Sequence, residues 1–167
     1  MRRARGFTLI ELLVTLAVII IMATVAVPSF RHTMHDQRVV ADYNELLAGL
    51  HLARSEAIKR REDVEFATTQ PAEEGEVSTE AGAVGPWRYR VMVGDQVVRE
   101  RTGRDATTAV TDISVTFDDL GKRTGCTEAP CQLTLTSHVI ERAETLEVTP
   151  AGRVGKPEPE EAEEAGE

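Results

Sequence analysis

The chain has 167 residues, 28% of them charged and only 4% aromatic, with a formal net charge of −9. Once an N-terminal apolar run is set aside, that length holds one domain of modest size, with a core built mostly from Val, Leu, Ile and Ala. The acidic balance excludes nucleic-acid binding through overall charge.

Six of the glutamates fall in residues 158–167, which contain no base, so the remainder is only mildly acidic. Cys126 and Cys131 are the two cysteines, and a pair in an oxidising compartment usually means a disulfide.

Arg2, Arg3 and Arg5 precede Gly6, and the 21 residues from Phe7 to Val27 are interrupted only by Glu11 and three threonines. At about 1.5 Å per residue, a helix over that run covers roughly 31 Å, enough for a hydrocarbon core of about 30 Å. The arginines hold the N-terminus in the cytoplasm and the remainder is exported. Glu11 is the anomaly. An unpaired carboxylate inside such a span costs ~2.5–3.5 kcal/mol or more, so it needs a partner or a purpose. Two ordinary readings stay open on these residues alone: a secretory signal cut after Ala26, and a plain membrane anchor. The run exceeds the roughly 7–15 apolar residues of a secretory signal, and neither reading gives Glu11 a role.

Arg5-Gly6-Phe7-Thr8-Leu9-Ile10-Glu11-Leu12-Leu13-Val14 resembles the class III signal of type IV pilins and type II secretion pseudopilins. The resemblance implies a prepilin peptidase that cuts after Gly6 on the cytoplasmic side, and N-methylation of the new N-terminus, Phe7. It implies that Glu11 pairs with the terminal amine of a neighbouring subunit during filament assembly. Such pairing has a physical logic, because two costly charges become one compensated pair. The resemblance also implies a single-pass protein in bacterial inner-membrane lipid, its N-terminus cytoplasmic and its C-terminal domain periplasmic. Residues 1–6 are then a leader, 7–28 a transmembrane helix, 29–156 a pilin-like periplasmic domain and 157–167 an acidic tail.

Pro28 lacks the N–H that bonds back one turn, so it ends or kinks a helix; pilins often carry a proline here within one long helix, which favours the kink. From Arg31 the pattern becomes amphipathic. Val39, Tyr43, Leu46, Leu47, Leu50, Ala53, Ala57 and Ile58 recur at three- and four-residue spacing and make one apolar face, with Arg38, Glu45, Arg54, Glu56 and Arg60 mostly elsewhere. This face is expected to pack on a sheet. Leu52 to Arg60 followed by a short strand is similar to the FimT/GspH branch of minor pilins and pseudopilins.

Strands are expected over Asp63–Thr68, Trp87–Val93, Val97–Arg99, Thr111–Phe117, Gln132–Thr136 and Thr145–Thr149, with a turn at Asp118-Asp119-Leu120-Gly121. Thr69–Gly85 reads as a mobile loop, and the stretch from Pro157 as disordered. Period-two strands after one long helix predict an α+β fold, a long N-terminal helix packed on an antiparallel sheet.

Four residues separate Cys126 from Cys131, and a disulfide over so short a loop contributes about 2 kcal/mol in the chain-entropy model. A metal site needs two more ligands, with His138 the nearest candidate. His32 and His35 lie one helical turn apart with nothing to supply a third ligand. Asp118 and Asp119 are adjacent in a turn, where capping is the ordinary explanation. No catalytic elbow, phosphate loop or metalloprotease motif is present, so neither enzyme activity nor a cofactor is expected.

The stretch Thr149 to Lys156 resembles the C-terminal Gly-Arg-x-Arg with which FimT-like minor pilins of naturally competent bacteria contact DNA. Gly152 and Arg153 match; Gly155 replaces the second arginine, and Lys156 comes one position late. Lysine keeps phosphate affinity without the planar fork. Lys122 and Arg123 could join Arg153 and Lys156 if the fold brings the two turns together.

The leading expectation is a structural one. The chain assembles helix against helix with other pilin or pseudopilin subunits, near the filament tip, where its domain meets other minor subunits or secreted cargo. The alternative is a DNA receptor for natural transformation.

Overall fold

The computed structural model describes residues 8–70, 86–104 and 106–157. The leader with Phe7, most of the Thr69–Gly85 loop and the acidic tail from Glu158 lie outside the described residues. One helix, α1 (Leu9–Arg60), precedes nine strands. It passes Pro28 without ending there. By internal packing the chain divides into two units, Met1–Arg38 and Val39–Glu167.

In the first unit the apolar side chains of Leu9, Ile10, Leu12, Leu13, Ile19, Ile20, Ile21 and Met22 are all exposed. The helix there is long and apolar enough to cross a membrane. Its threonines hide their hydroxyls in the backbone: Thr15 donates to the Leu12 carbonyl at 2.8 Å and Thr24 to that of Ile21 at 2.7 Å. A hydroxyl satisfied this way adds little cost in an apolar medium.

In the second unit α1 supplies a buried stripe of Val39, Leu46, Leu50, Ala53 and Ala57. The strands form two antiparallel sheets rather than one. The first has the order β3 (Gln96–Thr102), β2 (Arg88–Val93), β1 (Val64–Thr69), β5 (Ser114–Phe117), β6 (Arg123–Cys126). The second runs β4 (Thr108–Val110), β7 (Gln132–Ser137), β8 (Arg142–Val148), β9 (Val154–Gly155).

Alternation decides which side chains enter the core. Val64 and Phe66, Tyr89 and Val91, and Val115 and Phe117 are buried from the first sheet; Leu133 and Leu135, Leu146 and Val148 from the second. Cys126 ends β6 and Cys131 immediately precedes β7; they form a disulfide with Cα atoms 6.0 Å apart. The covalent link therefore sits where the chain passes from one sheet to the other.

Gly49 sets how closely helix and sheet approach, because a Cβ there would lie 2.8 Å from the Phe66 ring and 2.9 Å from that of Tyr89. Polar ties complete the contact. Asp42 accepts from Thr108 Oγ1 at 2.8 Å and from Trp87 Nε1 at 3.4 Å, joining α1 to both sheets. Glu45 accepts the Tyr89 hydroxyl at 2.9 Å. Burial, followed by that carboxylate, pushes the Tyr89 phenol up to about 12.

Two helix positions depart from the expected stripe. Ile58 is 47% exposed, whereas Glu56 is buried. Glu56 tolerates this because Arg60 Nε lies 2.7 Å and Lys59 Nζ 3.3 Å from its carboxylate, which holds its carboxyl below the usual range, Arg60 contributing most. Ile58 instead lies over Gly121, 2.7 Å from where a Cβ would stand. Arg61, at φ 58°, terminates the helix in the left-handed region.

Candidate functional site

Two places gather the candidate residues. The first is the start of α1. Thr8 accepts the Glu11 N–H on its hydroxyl at 3.3 Å and the Leu12 N–H on its carbonyl at 3.2 Å. Thr8 is therefore the N-cap and Glu11 the third helical residue, where the helix dipole favours a carboxylate. The Glu11 side chain is exposed and has no partner among the described residues. Gly6 and Phe7, the expected cleavage and methylation positions, lie outside them. The Thr-x-x-Glu spacing is a capping signal legible in the sequence; the apolar run around it draws attention to membrane insertion instead.

The second place is a junction of two turns. In the first, Asp118 Oδ1 accepts the Leu120 N–H at 3.0 Å and the Lys122 N–H at 2.7 Å, so its carboxylate caps the turn. In the second, the Gly152 N–H bonds the Thr149 carbonyl at 2.8 Å and the Arg153 N–H bonds the Thr149 hydroxyl at 3.1 Å. The Arg123 N–H reaches the Pro150 carbonyl at 3.2 Å, joining the turns. Arg54 of α1 donates Nε to the Gly121 carbonyl at 3.0 Å. Gly152 has φ 77°, and a Cβ on it would lie 1.8 Å from the Gly121 carbonyl oxygen. Only glycine fits. The fold thus accounts for the glycine of the Gly152-Arg153 pair without any ligand.

Lys122, Arg123 and Arg153 consequently sit on adjoining turns. Lys156 goes elsewhere. Its Nζ lies 2.9 Å from Glu144 Oε2 and 5.9 Å from the centre of the Tyr43 ring. Arg142 takes the other Glu144 oxygen at 2.7 Å. Arg142 and then Lys156 hold the Glu144 carboxyl below its usual range, and Glu144 raises the Lys156 ammonium in return. Desolvation raises the Tyr43 phenol.

Cys126 is consumed by Cys131. Among the described residues no group of three or more His, Cys, Asp or Glu could hold a metal. His32 and His138 are exposed. What sequence reasoning missed is the set of tying residues, Asp42, Glu45, Arg54 and Glu144. Periodicity places them off the apolar stripe, and nothing local announces their partners.

Residues 1–27 match the prokaryotic N-terminal methylation motif, and residues 42–152 match the type II transport protein GspH. Among solved structures, the chain is similar to the Pseudomonas aeruginosa (strain PAO1) type IV minor pilin FimU. In one crystal form the identity is 16% and the TM-score 0.49, over 77% of this chain and 91% of that one. In a second form the values are 18% and 0.43, over 69% and 89%. No curated protein matches the chain. With the methylation motif at its start and the GspH match over most of the remainder, the chain belongs to the GspH/FimT family of minor pilins and pseudopilins, subunits of a pilus or pseudopilus.

Proposed function

We propose that the protein is a processed minor subunit near the tip of its filament, with a structural rather than enzymatic role. Cleavage after Gly6 frees the Phe7 amine, which becomes methylated. α1 stays in the inner membrane with the domain on the periplasmic side until assembly, when Glu11 meets the amine of a neighbour. The observation that carries this reading is Glu11 itself: exposed, without a partner among the described residues, and surrounded by exposed apolar side chains. An intermolecular cation supplies what the described residues do not. Glu11→Ala should insert and fold normally yet be lost from sheared or purified filaments. Incorporation at the parental level would contradict the pairing.

A second reading, DNA capture, is favoured by one observation, the adjoining placement of Lys122, Arg123 and Arg153. Three phosphate contacts correspond to a log–log salt slope of roughly −2.7, a weak binder at physiological salt. Lys156 is engaged with Glu144, and six glutamates follow it. No gel shift is expected at physiological ionic strength. A salt-sensitive shift abolished by Arg153→Ala would make the protein a DNA receptor.

A further inference from the structure

β6 forms one edge of the first sheet and contributes no fully buried side chain to the core. Its neighbour β5 buries Val115 and Phe117, whereas Arg123, Gly125 and Cys126 of β6 are only partly buried and Thr124 is exposed. Apolar burial therefore does little to hold this strand in place. Backbone contacts hold its first residue. The Arg123 N–H reaches the Pro150 carbonyl at 3.2 Å, and just before it the Lys122 carbonyl accepts the Asp118 N–H at 2.9 Å. At the other end Thr127 pairs with Ser114, its N–H on the Ser114 carbonyl and its hydroxyl under the Ser114 N–H, both at 3.1 Å. The covalent tie at that end is the bond from Cys126 to Cys131. Its two sulfurs are not equivalent. Cys131 is 2% exposed, and its carbonyl accepts the Val148 N–H at 2.9 Å, which fixes it to β8. Cys126 is only partly buried, on the edge strand.

We propose that the Cys126–Cys131 bond is a redox latch on β6, worked by thiol–disulfide exchange at Cys126, with Cys131 as the fixed resolving partner. To open it, one thiolate of an external dithiol attacks Cys126 Sγ, the S–S bond breaks and Cys131 leaves as a thiolate. The second sulfur of the dithiol then attacks the mixed disulfide and frees Cys126. The donor ends as a disulfide, and the two protons it gives up end on the two cysteines. Closing is the reverse, with an external disulfide accepting the two electrons. Access decides which sulfur is attacked, and Cys126 is the more accessible. Once the latch is open, β6 peels from its Cys126 end, because its Arg123 end stays held at the interlocked turns. The inner strands β1 and β2, packed through Phe66, Tyr89 and Val91, keep their places without the bond. Neither Glu11 nor the N-terminus takes part, so failure of the latch would leave the α1-based assembly reading untouched.

Hydrogen exchange of the full-length protein in detergent, oxidised and after reduction with dithiothreitol, reads the latch. Reduction should speed exchange at the Gly125 and Thr127 amides at least about tenfold, within the roughly thirtyfold that closing so short a loop contributes. The Phe66 and Val91 amides should not change. Replacing both cysteines, Cys126→Ser with Cys131→Ser, should give the same local pattern without reductant. The single variants separate the sulfurs. With glutathione disulfide, the Cys131→Ser protein should form its mixed disulfide at Cys126 at least about tenfold faster than the Cys126→Ser protein does at Cys131. Unchanged exchange at Gly125 and Thr127, a rise spread over every strand, or equal rates for the two cysteines would each overturn the assignment.

Discussion

Glu11 and Glu45 lie on one helix and have opposite surroundings. Glu11 is exposed among exposed leucines and isoleucines, with no partner among the described residues. Glu45 binds a fully buried tyrosine and two arginines brought from β2 and β3. The same contrast holds for apolar residues: Leu12 and Leu13 face outward, whereas Leu46 and Leu50 are buried completely. A helix whose halves follow such different rules is built for two media. The N-terminal half is suited to lipid and then to other helices, where apolar surface needs no cover from its own chain. The later half packs into the core of the domain, and the carboxylates it brings there, Asp42, Glu45 and Glu56, are partnered.

The contrast is broken most severely at Gly152, where a substitution should act on the domain alone. Gly152→Ala sets a Cβ against the Gly121 carbonyl at a positive φ, which should cost about 3 kcal/mol or more. Chemical denaturation of the full-length protein in detergent measures it. An unchanged midpoint would show that the two turns are not held against each other.

Next comes Glu45→Ala. It leaves the buried Tyr89 hydroxyl without its acceptor and Arg99 without its counter-ion, so a loss of about 2 kcal/mol is expected by the same measurement. Glu11→Ala, by comparison, should leave the midpoint where it was. Equal losses from both glutamates would erase the distinction between the two halves of α1.

The long helix, the apolar stripe from Val39 to Ala57 and the alternating strands around Tyr89, Val115 and Leu133 were legible because periodicity reports burial directly. Other elements left no such trace. β4 and β9 are three and two residues long, and β6 reads Arg-Thr-Gly-Cys, with no apolar alternation. The division into two sheets is likewise set by long-range pairing, with Val64 opposite Phe117 and Val110 opposite Leu135. At the candidate sites, local spacing exposed Glu11 as an anomaly. It did not expose the interlocked turns at Gly121 and Gly152, whose partners lie far apart in the chain. Lys156, grouped with Arg153 by proximity in sequence, turns to Glu144 on β8, a preference set by a residue that no motif marks.

The central claim, that this is a processed filament subunit and not an exported or simply anchored protein, is tested most directly at the N-terminus of the mature chain. Intact-mass and N-terminal peptide spectrometry of protein from its native membrane should show a chain beginning at Phe7 and carrying one methyl group on its amine. A mature chain beginning at Val27, or one retaining Met1 to Gly6 in assembled filaments, would contradict the account.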